Sequence, residues 1–340
     1  MGALASGYHG PPQLTLGRAF TQWTADVPMI ALVVVLGACY LAGVWRVRRG
    51  GGSWATGRAV AFCGIGLGAL VLATMSWIGA YQGVLFYARA TQTVLLVLLV
   101  PLFLAMGKPL TLLGAAYPAA GRRVGKIVRS RAAVVVTFPA ITTLALVAVP
   151  MTMYFTSWYT AVFHSGTTRE LTYLVLMVPG YVFFWTLLRV DPVPRQYPYG
   201  VGMWITAAEV VGDAFFGIAV IADTNVIAAP YYHAVGYPWG PSLATSQVLG
   251  GGIIWILGDL VGLPFLGVQL IQMMREDQAE AAEVDAELDA KEAASEARAA
   301  GEAATEAASV SPVAGGEPAD TADDDRPWWE SDPRFTERFK

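Results

Sequence analysis

Three carboxylic acids in otherwise apolar stretches are the side chains of this chain best suited to bind a proton or a cation. Glu209 and Asp213 stand four residues apart and so share one face of a helix, and Asp259 lies near the middle of the next apolar stretch. An ionisable side chain in lipid is costly enough to count as a functional candidate. Two interpretations stay open: a proton- or cation-binding cluster, or protonated acids that hydrogen-bond between helices as packing contacts.

A second group of residues offers the donor atoms that Cu(I) prefers. The thioethers of Met151 and Met153 and the imidazoles of His164 and His233 are ligands of this kind. The simpler interpretation is that the methionines fill a helix interior and that the histidines are solvated in loops. The chain has three histidines, and none lies in an apolar stretch, so haem ligation by paired histidines within the bilayer is excluded.

No enzyme class is indicated by the motifs of the chain. The connections contain no nucleotide-binding loop, HExxH motif or serine-nucleophile motif. The last apolar stretch has no lysine that could carry retinal. We therefore expect no catalytic residue and no nucleic-acid partner.

Seven long apolar stretches must position these residues. Each is near or above the roughly 20 residues that a helix needs to cross about 30 Å of hydrocarbon. The stretches are residues 27–45, 59–81, 85–107, 132–155, 171–188, 201–222 and 247–273. Only 14% of the residues are charged, against about 25% in soluble domains. The sequence predicts an all-α polytopic protein with seven transmembrane helices embedded in a lipid bilayer.

The basic residues predict the orientation of these helices, because short cytoplasmic connections are rich in Lys and Arg. Every second connection carries such residues, whereas the opposite connections hold only Arg89 and Arg169, with Arg18 in the N-terminal segment. The basic connections contain Arg46, Arg48, Arg49, Arg58, Lys108, Arg122, Arg123, Lys126, Arg129, Arg131, Arg189, Arg195 and Arg275. We expect the N-terminus outside, the C-terminus in the cytoplasm, and the plasma (inner) membrane as the location.

Charge and composition divide the chain further. Residues 1–274 hold 15 Lys/Arg against 7 Asp/Glu, whereas residues 275–340 hold 7 against 19. We predict an outside segment at 1–26, a membrane domain at 27–274, a cytoplasmic helical extension at 275–299 and an acidic disordered tail at 300–340. The tail ends in a motif with four aromatic residues, either docked on the protein's own cytoplasmic face or bound to a partner.

Several segments resemble the CtaG-type cytochrome c oxidase assembly factors. The similar segments are residues 84–96 (VLFYARATQTVLL), 100–113 (VPLFLAMGKPLTLL), 157–163 (SWYTAVF), 180–185 (GYVFFW), 236–243 (GYPWGPSL) and 250–259 (GGGIIWILGD). The resemblance covers about residues 30–290 and implies the same seven-helix topology. In some relatives this module is the C-terminal half of a larger protein with a CopD-like copper-transport half.

The chain departs from that family at the histidines, which usually stand at the outer ends of the third to fifth spans. The resemblance places six residues at these positions, and none is a histidine: Arg89, Thr93, Tyr154, Arg169, Thr172 and Tyr173. Arginine has no lone pair to donate to a metal, and its charge repels Cu(I). The comparison favours loss of direct copper binding over a replacement site built from Met151, Met153, His164 or His233.

The resemblance thus implies an assembly factor for a haem-copper oxidase that holds an assembly intermediate or an accessory subunit. Its expected partners are cytochrome c oxidase subunits or other assembly factors, and no cofactor is expected, although copper is possible. Two alternatives stay open: a small permease for copper or protons that uses the three carboxylates, and a structural subunit of a respiratory complex.

Overall fold

The computed structural model describes residues 8–189, 191–195 and 197–309, and the regular secondary structure of this part of the chain is helical throughout. Two π-helical segments, Val60–Gly66 and Leu95–Leu99, lie within longer helical runs. The α-helices are α1 (Leu16–Thr21), α2 (Val27–Arg49), α3 (Thr56–Ala59), α4 (Leu67–Met75), α5 (Trp77–Tyr81), α6 (Phe86–Val94), α7 (Val100–Met106), α8 (Pro109–Ala116), α9 (Pro118–Val128), α10 (Arg131–Val136), α11 (Pro139–Tyr154), α12 (Trp158–His164), α13 (Gly166–Leu188), α14 (Tyr199–Ala222), α15 (Ala229–Val235) and α16 (Leu243–Ser309).

Within the described residues, six helical runs are long and apolar enough to cross a membrane, and there are seven if one bent pair counts as a single span. In chain order the spans are Val27–Arg49, Thr56–Tyr81, Phe86–Ala116, the bent pair Pro139–Tyr154 and Trp158–His164, Gly166–Leu188, Gly200–Ala222 and Leu243–Glu302. Large apolar side chains on these spans face outward; Trp204 is 75% exposed and Leu260 is 66% exposed. The prediction of an all-α polytopic membrane protein is confirmed.

The first span shows how the sequence sets helix ends. Asp26 precedes it as the N-cap, and its carboxylate accepts a hydrogen bond from the backbone N–H of Met29 (3.2 Å). Pro28 occupies the first turn, where its missing N–H leaves no helical hydrogen bond unmade. Three arginines in the last turn precede Gly50, at which the helix ends. Cations at this position also favour the negative end of the helix dipole.

The fourth span differs from the predicted continuous stretch at 132–155. The chain there forms α10, breaks at Thr137 and Phe138, continues as α11, and bends by 67° into α12. Phe138 precedes Pro139 and adopts an extended conformation (φ −64°, ψ 126°), as proline disfavours helical geometry in the residue before it. The fourth span is therefore two helices joined by a bend, Pro139–Tyr154 and Trp158–His164, rather than one continuous helix over 132–155.

The chain divides into two compact units, Met1–Glu276 and Asp277–Lys340. The first contains the main core, in which Leu70, Leu96 and Phe183 are fully buried. In the second, the described residues form an exposed helix with i,i+4 ion pairs between Glu287 and Lys291 and between Arg298 and Glu302. Residues 310–340, with the predicted aromatic motif, lie outside the described residues.

Candidate functional site

The start of the third span carries a fully buried charged side chain, that of Arg89. The third span begins with α6, whose first residue, Phe86, donates its backbone N–H to Ser246 Oγ on α16 (3.1 Å). Arg89 follows in the first turn of α6, and its side chain is 0% exposed. The start of the span is thus fixed against the last span, with a guanidinium turned into the protein.

Neutral acceptors surround the guanidinium of Arg89. Its Nη1 donates to Gln82 Oε1 (3.1 Å) and to Gln92 Oε1 (2.6 Å), and its Nη2 donates to Met153 Sδ (3.2 Å). The guanidinium carbon lies 5.9 Å from the centre of the Phe163 ring, within reach of a cation–π interaction. Arg89 Nε is buried and has no partner in the structure. Among the described residues, no carboxylate forms an ion pair with Arg89.

The two glutamines are held in turn by the second and fifth spans. Gln92 Nε2 donates to the carbonyl of Ala73 (2.8 Å), and Gln82 Nε2 donates to the carbonyl of Gly79 (3.0 Å). The Tyr173 hydroxyl on α13 donates to Gln82 Oε1 (3.0 Å) and accepts from Gln92 Nε2 (3.3 Å). The amide oxygens therefore point at Arg89. We call the set Arg89, Gln82, Gln92, Met153 and Tyr173 the Arg89 network.

Thr93 connects the Arg89 network to a layer of aromatic rings. Its hydroxyl donates to the carbonyl of Arg89 (2.9 Å) and lies 3.1 Å from the hydroxyl of Tyr154. The ring of Tyr154 packs against the ring of Tyr159 (centroids 5.0 Å apart). The Tyr159 hydroxyl is 2.7 Å from that of Tyr232 in α15. Burial raises the pKa of Tyr232, which keeps this phenol protonated and able to donate.

Four of the six residues that the resemblance matches to histidine positions thus lie close together. Arg89 and Tyr173 belong to the Arg89 network, and Thr93 and Tyr154 adjoin it. Thr172 lies beside it and accepts a hydrogen bond from Trp158 Nε1 (2.8 Å).

The sixth position, Arg169, is neutralised separately. Its Nη2 lies 3.1 Å from Glu170 Oε1 and 3.8 Å from Asp26 Oδ2. Arg169 is 39% exposed, in contrast to Arg89. Because Asp26 caps α2, this ion pair joins the start of the first span to the start of the fifth.

The donor set at this place does not fit a copper ion. Arg89 offers only N–H donors, and it already hydrogen-bonds the thioether of Met153, the one soft donor in the network. A second cation beside a buried guanidinium in low dielectric is strongly repelled. The site is therefore built around a permanent organic cation.

The remaining candidate copper donors are spread over different environments. Met151 is half-buried against the core, whereas the side chains of His164 and His233 are exposed. His164 meets the ring of Tyr231 edge-on (centroids 6.0 Å apart). His233 lines an open cavity of about 340 Å³ with Tyr237 and other residues of its loop. Within the described residues, no group of three or more His, Cys, Asp or Glu side chains could hold a metal ion.

The three intramembrane carboxylates form a second polar cluster, between α14 and α16. Glu209 and Asp213 lie one turn apart on the same face of α14 and are 1% and 9% exposed. Glycines of α16 make room for them; a Cβ on Gly258 would lie 2.4 Å from an Asp213 oxygen. Asp259 Oδ1 is buried without a partner. The arrangement can hold protons, and it lies apart from the Arg89 network in sequence and in contacts.

The residues that sequence reasoning missed are Gln82 and Gln92. The available signal was their polarity next to Arg89: Gln92 is three residues after the arginine, and so on the same helix face, and Gln82 is seven before it. A primary amide in an apolar stretch needs partners, and an arginine nearby is such a partner.

The chain is similar to one protein family and to three mycobacterial proteins. A family model described as cytochrome c oxidase caa3 assembly factor matches residues 38–276. Proteins from Mycobacterium bovis and Mycobacterium tuberculosis, both described as uncharacterized, are 31% identical over 287 residues, as is one from Mycobacterium leprae. The match covers 82% of this chain but 43% of each relative, so the chain spans less than half the length of these relatives. No solved structure matches the chain.

Proposed function

The chain belongs to the cytochrome c oxidase caa3 assembly factor family, and from this premise we propose that it assists oxidase assembly without carrying copper itself. Family membership implies the general role of an oxidase assembly factor. The finer proposal is that the chain holds an oxidase subunit, or another assembly factor, through its outer loops and the adjoining ends of its spans. It performs no turnover of its own.

The observation that carries this proposal is the buried guanidinium of Arg89 at a family histidine position. Arg89 is bound by Gln82, Gln92 and Met153, and it engages the thioether that a copper ion would need. A charged side chain in a membrane span is retained for function more often than for stability. We propose that the fixed cation sets the shape and the electrostatic potential of the face that receives the partner.

The Arg89 network also supports a holding role through its connections. Through Tyr173, Met153 and Ala73 it joins the fifth, fourth and second spans to the third. Through Thr93 it reaches Tyr154, and from there Tyr159 and Tyr232, at the end of the spans that we assign to the outside. A network of this kind fixes the loops above it in one arrangement, and a preformed surface binds a partner at a lower entropic cost.

Deletion of the encoding gene tests the assembly role. We expect the membranes of the deletion strain to contain less assembled oxidase, measured from the haem absorbance and the turnover of the oxidase, while the unassembled subunits are still made. Restoring the gene should restore the oxidase. An unchanged oxidase level would reject the role.

A structural subunit, the third candidate, would instead be present in one copy in every purified oxidase molecule.

A permease for protons or copper is the second candidate, because Glu209 and Asp213 are buried on one face of α14 and, among the described residues, neither forms an ion pair with a cation. The variant Asp213→Asn separates the two proposals. Under the assembly proposal it leaves the oxidase level unchanged, since the carboxylates lie away from the Arg89 network. Under the permease proposal, proton or copper flux into vesicles containing the wild-type protein is lost in Asp213→Asn.

A further inference from the structure

The helix α9, between the third and fourth spans, concentrates positive charge on an amphipathic surface. Its apolar residues Val124, Ile127 and Val128 follow the spacing of one helix face. Its basic residues and those just after it are Arg122, Arg123, Lys126, Arg129 and Arg131. Residues 27–169 contain no Asp or Glu, and among the described residues none of these five cations forms an ion pair.

A cavity of about 430 Å³ lies between α8 and α9. The two helices approach closely at glycines; a Cβ on Gly121 would lie 2.6 Å from Gly114 Cα. The lining includes Leu110, Val124 and the buried Val128, together with the exposed cations Arg122 and Arg129. Arg122, Gly125 and Arg129 recur at three- and four-residue spacing, so both guanidinium groups project from the face of α9 that borders the cavity.

This cavity adjoins the ends of the first and third spans. Arg46, in the last turn of the first span, donates its Nε–H to the carbonyl of Ala116 at the corner between α8 and α9 (2.8 Å). Its guanidinium also lies 4.9 Å from the centre of the Tyr117 ring. These contacts of Arg46 hold the corner between α8 and α9 against the end of the first span. Ile127 on α9 is 68% exposed, which suits a helix that rests on the boundary between head groups and acyl chains.

We propose that the cavity between α8 and α9 binds an anionic phospholipid of the adjacent leaflet. Arg122 and Arg129 pair with the phosphate of the head group, and the apolar lining receives the upper part of an acyl chain. Guanidinium groups suit phosphate because their N–H donors match its oxygens. The apolar half of the lining selects a lipid over a soluble anion. Basic pockets beside transmembrane helices are a recognised form of lipid site.

Lipid titration of the purified full-length protein tests this site. The protein in mild detergent is titrated with phosphatidylglycerol or phosphatidylcholine, and bound lipid is counted by native mass spectrometry. The variant Arg122→Gln with Arg129→Gln removes the two cations that line the cavity. The matched control is Arg123→Gln with Lys126→Gln, which removes the same charge from the same helix at positions outside the lining. All four side chains are exposed, and thermal melting verifies that both variants fold.

We expect the wild type to prefer phosphatidylglycerol and the cavity variant to bind it about thirtyfold more weakly, because each of the two cations contributes a factor of about five near an anionic lipid. The control variant should stay close to the wild type, and excess inorganic phosphate should not displace the lipid. An equal loss in both variants would show diffuse charge attraction and overturn the proposal. Absence of a preference for phosphatidylglycerol, or displacement by phosphate alone, would overturn it as well.

Discussion

At residue 89, a guanidinium is enclosed by groups that carry no negative charge. Burial of an unpaired ion costs several kcal/mol, and the hydrogen bonds from Arg89 to Gln82, Gln92 and Met153 offset only part of this cost. Arg89 Nε has no hydrogen-bond partner, so the protein does not replace all of the hydrogen bonds that water would make with the guanidinium. Because burial makes this charge costly for stability, we propose that Arg89 serves the assembly role instead.

The variant Arg89→Met tests what this residue contributes. It removes the cost of burying an unpaired charge but leaves Gln92 Oε1 without its donor. These two effects oppose each other, so we expect thermal unfolding in detergent to shift by less than about 2 kcal/mol, whereas the oxidase level should fall. The control Arg169→Met removes a 39% exposed arginine and should cost less than about 1 kcal/mol, as expected for exposed ion pairs. Equal effects of the two substitutions on the oxidase level would show that Arg89 has no specific part in assembly.

Among the helical elements, α13 and the third span approach each other closely at Gly180. A Cβ on Gly180 would lie 1.9 Å from the carbonyl oxygen of Val97 and 2.9 Å from Pro101 Cγ. Only glycine allows the two backbones to approach this closely. The contact sets the distance between α6, which carries Arg89, and α13, which carries Tyr173.

The variant Gly180→Ala should therefore separate these two helices. We expect a loss of about 1–3 kcal/mol in thermal unfolding, the usual range for an overpacked interior. The control Gly68→Ala adds the same methyl group where no atom lies within 4 Å; it should be neutral or stabilise by up to about 1 kcal/mol, since alanine favours helix. A Gly180→Ala protein as stable as the control would show that the two backbones do not meet this closely.

The helices were predictable from the sequence because a continuous apolar stretch of span length is typical of a transmembrane helix. The first, second, fifth and sixth spans lie close to the predicted stretches, whereas the third runs on to Ala116 and the seventh is part of the longer helix Leu243–Ser309. The break before Pro139 and the bend after Tyr154 interrupt a stretch whose hydropathy is continuous. Hydropathy does not report backbone geometry. The proline at position 139 was the available signal.

The candidate site was predictable only as a set of positions. The resemblance singled out Arg89, Thr93, Tyr154 and Tyr173, which lie on three different spans. Their meeting point depends on how those spans pack, and on Gln82 and Gln92, whose roles follow from contacts rather than from spacing. Whether Met151, Met153, His164 and His233 ever bind copper stays a prediction for experiment.

For the molecule as a whole, the basic connections support a model with the N-terminus outside and the C-terminus in the cytoplasm. A reporter that is active only in the cytoplasm should be active when fused after Lys340 and silent when inserted at Gly166. Insertion at Gly50, in a basic connection, is the internal control and should be active. The reverse pattern would place the Arg89 network on the cytoplasmic side and contradict the proposed docking from outside.

The central claim is that this family member supports oxidase assembly without bound copper. The most direct measurement isolates the full-length chain from its native membranes in mild detergent and determines its copper content together with the proteins that co-purify. The variant Arg89→His with Thr93→His serves as a positive control, because imidazoles at i and i+4 lie on one helix face and can share a Cu(I) ion. We expect oxidase subunits or assembly factors with the wild type, no stoichiometric copper, and copper in the control variant. One copper per wild-type chain, lost on substitution of Met151 and Met153 by Leu, would contradict the account.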